Sequence, residues 1–115
     1  MRERLNGLSN KTFAFECLRL LEGYNVPIEV IRKLTDTDYC KEQFNSRKAI
    51  LKEIGTTASA GDIYDGTSKP RFYRESYHYQ GYHFLITNYW YGPQTKLNDN
   101  RTPFMEWVLS AEKNI

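Results

Sequence analysis

Residues 71–90, RFYRESYHYQGYHFLITNYW, carry an aromatic ring at eight of twenty positions and are interrupted at the centre by Gln80-Gly81. Aromatic and β-branched residues favour the half-buried pleated surface of a strand, and a glycine between two such runs favours a reversal. The segment therefore predicts a hairpin with strands over about 71–79 and 82–91. A two-residue turn would place Gln80 at a positive φ, which Gln resists, so a three-residue loop over Tyr79–Gly81 with Gly81 left-handed is the alternative. The tight turn would pair Tyr77 with Phe84 and Tyr79 with Tyr82 on one face, and Phe72 with Tyr89 on the other. Rings on both faces exceed what a one-sided core requires. Tyr77, Tyr79 and Tyr82 are accordingly candidates for a partner-binding surface that contacts either protein or unpaired bases.

The remaining chain supplies what such a hairpin packs against. At 115 residues the protein is long enough for one core and too short for two ordinary ones, so a single domain over 1–115 is expected. Phe13, Ala14, Cys17, Leu18 and Leu21 share one face of a helix over 10–22, with Ser9 or Asn10 as cap and Gly23 as a left-handed end. Pro27 suits the first turn of a short second helix over about 27–34. The cap-rich TDTD at 35–38 opens a third run from Tyr39 to Ile54, read either as one helix or as two divided at Asn45-Ser46. Residues 55–70, rich in Gly, Ser, Thr and Asp, read as a mobile loop. Thr102-Pro103 resembles a cap followed by Pro at the first helical position, which predicts a last helix over about 103–113. The fold class is thus α+β: three N-terminal helices, a two-stranded aromatic hairpin and a C-terminal helix.

Three helices followed by an aromatic hairpin, over about Asn10 to Tyr91, is similar to the winged helix-turn-helix domain at the level of architecture. The resemblance implies that the second and third helices form a helix-turn-helix, that the third enters the DNA major groove, and that the hairpin is the wing. It departs from that family in its 16-residue loop before the hairpin, its uncharged Gln80-Gly81 tip and its appended helix. The segment PIEVIRKLTDTDYCKEQFNSRKAILKEI would carry the motif. Within it, Lys41, Arg47, Lys48 and Lys52 oppose only Glu42, a local charge of +3 where the whole chain carries +2. Gln43, Asn45 and Ser46 lie among them, and amide side chains suit base edges as Arg suits guanine. Lys69, Arg71 and Arg74 at the hairpin's entry are candidate phosphate contacts. A Lys- and Arg-bearing helix face is equally what a solvated surface looks like. DNA is the expected partner, with transcriptional regulation or a recognition module of a DNA-processing system as the role. A protein-interaction module or inhibitor that engages a homodimer or protein partner through the Tyr-rich hairpin is the alternative.

Other chemistry lacks support in the sequence. His78 and His83 would face each other across a tight turn, but a structural or catalytic zinc needs three or four ligands, and neither Cys lies nearby. The acidic stretch DIYDG lacks the spacing of a calcium loop. No catalytic triad motif or phosphate-binding glycine loop occurs, so neither an enzyme activity nor a cofactor is expected. Cys17 and Cys40 fit small buried thiols rather than a disulfide framework. With no apolar run near bilayer length, a cytoplasmic chain without membrane association is expected.

Overall fold

The computed structural model describes residues 1–112. Its first element, α1 (Arg2–Asn6), buries Leu5 and precedes the helices expected from the pattern. In α2 (Asn10–Gly23) the residues Phe13, Ala14, Cys17, Leu18 and Leu21 are all buried, as their spacing requires. The left-handed residue after it is Asn25 at φ 55°, not Gly23, which remains helical. Pro27 is the extended residue ahead of α3 (Ile28–Lys33). After Leu34–Asp36, α4 (Thr37–Phe44) begins where the Asp36 carboxylate accepts from the Tyr39 amide at 3.1 Å.

Helix α4 stops at Phe44 because Asn45 adopts the left-handed conformation, φ 59° and ψ 29°. The helix expected over 47–54 does not form. Leu51–Ile54 is instead a strand, β1, so both the single-helix and the two-helix readings of 39–54 are corrected. Main-chain bonding fixes this stretch: the Thr87 amide donates to Ile50 O, and the Leu51 amide donates to Leu34 O after α3, both at 2.9 Å.

The sheet has three antiparallel strands in the order β1-β3-β2, with β2 Phe72–Tyr79 and β3 Tyr82–Thr87, so the expected hairpin forms and β1 adds to it a third strand that was not expected. Gln80 and Gly81 both have positive φ, 49° and 85°, the requirement of a two-residue type I′ turn. Tyr77 lies opposite Phe84, His78 opposite His83, and Tyr79 opposite Tyr82, the tight-turn register. Phe72 is opposite Thr87 rather than Tyr89, because β2 spends four positions between Phe72 and Ser76 where β3 spends two. This bulge keeps alternate residues on their faces while shortening the paired length of β3.

One sheet face, with Leu51, Phe84, Ile86, Tyr77 and Tyr79, joins the core built by the helices. Rings dominate it: Phe13 meets Trp90 edge-on at 5.5 Å, and Phe44 meets Phe104 at 5.3 Å. The other face carries Phe72 and Leu85, both buried. The 55–70 segment, expected to be a mobile loop, contains a helix, α5 (Ala60–Tyr64), that contacts β2. A capping box starts it, with the Ser59 hydroxyl and the Asp62 carboxylate satisfying each other's backbone amides. The last helix, α6 (Arg101–Ala111), begins two residues before Pro103, after Asn100, and the Asp99 carboxylate accepts from the Thr102 amide. Its expected end at residue 113 lies outside the described residues. Among the described residues, no helix is long and apolar enough to cross a membrane.

Candidate nucleic-acid interface

Helices α3 and α4 are joined by three residues, Leu34–Asp36, the connection length of a helix-turn-helix. Thr37 opens α4, and Lys41, one turn later, projects from the same side. Both are exposed, as is Gln43. Asp38 and Glu42 are exposed on the same helix, so α4 itself is not cationic. The charge concentrated in 41–52 belongs mainly to the residues beyond its C-terminal end.

Those residues form a fixed turn. The Asn45 side-chain amide donates to Leu97 O at 2.9 Å, which ties the turn to the 92–100 connection. Ser46 is fully buried, its hydroxyl donating to Lys48 O at 2.7 Å and accepting from Asn100 Nδ2 at 3.4 Å. Ser46 is therefore corrected from a contact residue to a positioning one. With the side chains of 45 and 46 committed to these bonds, Arg47 and Lys48 are left exposed side by side.

They border a cleft of about 330 Å³ shared with Thr35, Thr37, Leu51, Lys52, Glu53, Asp65 and Phe72. Arg47, Lys48 and Lys52 oppose Glu53 and Asp65 there, a net of +1. Most of the acid is already engaged: Glu53 pairs with Arg32 at 3.3 Å and Asp65 with Lys52 at 3.0 Å. Lys52 also donates to Asp62 O at 3.1 Å and lies 5.6 Å over the Phe72 ring, so it serves the junction of β1 and α5 rather than presenting a free charge. Hydrogen bonds from the Ser59 backbone and hydroxyl hold the Asp62 carboxyl below the usual carboxylate range. The unengaged cations of the cleft are Arg47 and Lys48.

Lys69 and Arg71 are exposed on the segment leading into Phe72, which lines the cleft, and Arg71 Nε donates to Thr67 Oγ1 at 3.1 Å. Arg74 is exposed on the bulge of β2 and does not line the cleft. Thr35 and Thr37 had a signal in the sequence, the TDTD cluster, which points to capping and not to a wall.

The aromatic candidates divide. Tyr77 and Tyr79 are 7% and 5% exposed, and their hydroxyls donate to Leu18 O at 3.1 Å and Val26 O at 2.6 Å. They are core residues, which corrects their assignment to a contact surface. Tyr82 is half-buried, with the Arg32 guanidinium 4.3 Å over its ring. Among the described residues, no three His, Cys, Asp or Glu side chains come together as a metal centre. No protein-family model, curated protein or solved structure matches this chain.

Proposed function

We propose that the protein binds nucleic acid, duplex DNA in the first instance, through phosphate contacts from the Arg47-Lys48 turn and the 69–74 segment, with α4 laid alongside. The observation that carries this reading is where the unpaired charge lies. Among the described residues, Arg2, Arg4, Lys11, Arg19, Arg32 and Lys52 each pair with a carboxylate. Among the described residues, the exposed cations without such a pair are Lys41, Arg47, Lys48, Lys69, Arg71 and Arg74, with only Lys33 and Lys96 besides. Cations left unpaired are the ones that gain most by displacing counterions from a phosphate backbone. The three-residue link between α3 and α4 further supports the winged-helix resemblance. In this form of it, the turn after the second helix of the motif carries the charge, and sequence readout falls to Thr37, Lys41 and Gln43. A role in regulation or DNA processing accompanies that reading.

Binding of a labelled mixed-sequence duplex and its single strand across a salt series tests the proposal. Affinity is expected to fall steeply with salt. Arg47→Glu with Lys48→Glu is expected to weaken binding at least tenfold and reduce the log–log salt slope by about 2, since each phosphate contact contributes roughly 0.9. Lys33→Glu, a charge change away from the cleft, should leave the slope unchanged. Equal slopes for wild type and the double variant, or no binding to either strand form at low salt, would overturn it.

A further inference from the structure

Outside the cationic cleft, the most unusual juxtaposition is His78 and His83. They are directly opposed on β2 and β3, separated from a two-residue turn by the Tyr79–Tyr82 pair, with ring centroids 4.3 Å apart and planes at 71°. Both project from the sheet face that also carries Ser76, Leu85 and Ile54, since alternate residues share a face.

The nitrogens are unequally used. His78 Nε2 is engaged with Ser76 Oγ at 2.8 Å, which orients that ring and leaves its Nδ1 uncommitted. His83 Nδ1 is buried and has no hydrogen-bond partner. A buried nitrogen without a partner is uncommon and calls for a water, an ion or a ligand. Here the orphan belongs to an imidazole whose nearest aromatic neighbour is a second imidazole, and the latter's other nitrogen is held by a hydroxyl, as outer contacts commonly orient metal-binding histidines.

We propose that His78 and His83 form a two-imidazole chelate for a borderline divalent transition metal of the zinc, nickel or copper class, with water completing its coordination. Imidazole nitrogen suits these ions, whereas calcium and magnesium prefer oxygen. Two protein ligands make an exchangeable site rather than a structural centre. Strand register favours it: the pairing of β2 and β3 sets the two imidazoles opposite each other before the ion arrives, so only side-chain rotation remains to bring their free nitrogens together. Cys17 and Cys40, the thiols that would otherwise compete for such an ion, are both buried.

Isothermal titration of the intact chain with Zn²⁺ at neutral pH, alongside His78→Ala, His83→Ala and His83→Gln, tests the assignment. One ion per wild-type chain is expected, with at least a tenfold loss of affinity in every variant. His78 is exposed, so its alanine variant keeps the comparison valid even if His83→Ala disturbs the sheet. In nitrogen-detected NMR of the wild type, both imidazole rings should shift together on titration. Zinc affinity unchanged by His78→Ala, shifts confined to one ring, or no binding by wild type at millimolar zinc would each overturn the proposal. None of these readouts involves nucleic acid.

Discussion

Cys17 and Cys40 ionise reluctantly in the folded chain. Burial pushes the Cys17 thiol up to about 12 and the Cys40 thiol up to about 11, and burial raises the Tyr77 phenol as well. An unfolded thiol ionises near its ordinary value, so above that pH the unfolded state gains stability that the folded state cannot match. The contribution is whole below about pH 8.5 and is lost as pH climbs toward the folded values, at about 1.4 kcal/mol per pH unit for a single thiol. Urea midpoints are therefore expected to hold steady from about pH 7 to 8.5 and fall between about 9 and 11, less steeply in Cys17→Ala. A flat midpoint across that range would contradict the burial argument. The same scale shows what was legible. Alternation placed Tyr77, Tyr79 and Phe84 on one face correctly, but a tyrosine suits a wet surface and a core alike. What settles Tyr77 and Tyr79 inside are the carbonyls of Leu18 and Val26, more than fifty residues away in sequence. No local pattern reports an acceptor at that separation.

At the scale of the element, the hairpin turn carries a mismatch between residue and conformation. Gln80 holds φ 49° at the first central position of a turn that Asn-Gly fills with less strain. Gln80→Asn is expected to stabilise the protein by up to about 1 kcal/mol, because Asn visits the left-handed region more readily. Chemical denaturation checks this, and a destabilised Asn variant would mean that the Gln80 side chain makes a compensating contact. The turn was half-legible: Gly81 marked the reversal, while the weakness of Gln as a turn residue left the loop length open. β1 was not legible at all. Ile50, Leu51 and Ile54 repeat at helical spacing, and Lys52-Glu53 between them carry little strand preference. The strand forms because Asn45 turns the chain out of α4, and the free edge of β3 offers Leu85 and Phe84 as partners for Lys52 and Glu53. The candidate site suffered from the same error. Read as one helix, 41–52 is a cationic stripe; divided at Asn45, it becomes a mildly acidic helix and a two-residue cationic turn.

Across the whole molecule, one buried charge connects elements that local pattern could not bring together. Arg101, at the start of α6, is 6% exposed and forms no ion pair with a carboxylate among the described residues. Its guanidinium donates to Asn10 Oδ1 at 2.9 Å on α2 and to Leu5 O at 3.0 Å on α1, and lies 4.2 Å over the Phe13 ring. Desolvation lowers its pKa, the signature of a cation held by dipoles and a ring face instead of an anion. The sequence presents Arg101 only as one more basic residue in a polar connection. A second link between α1 and α6, the exposed Arg2–Glu106 pair, looks stronger as a drawn contact and is weaker in solution, where water and salt screen it. The two make opposite predictions. Arg101→Lys keeps the charge but cannot span both acceptors from one planar group, and is expected to cost about 2 kcal/mol by leaving a buried acceptor unpaired. Arg2→Ala is expected to leave the urea midpoint unchanged within error. Side-by-side denaturation at neutral pH in low and high salt separates them: the Arg101 effect should persist at high salt, because its partners are buried. If instead Arg101→Lys were silent and Arg2→Ala destabilising, the attachment of α1 would rest on surface charge, and stability would fall with salt in the wild type as well.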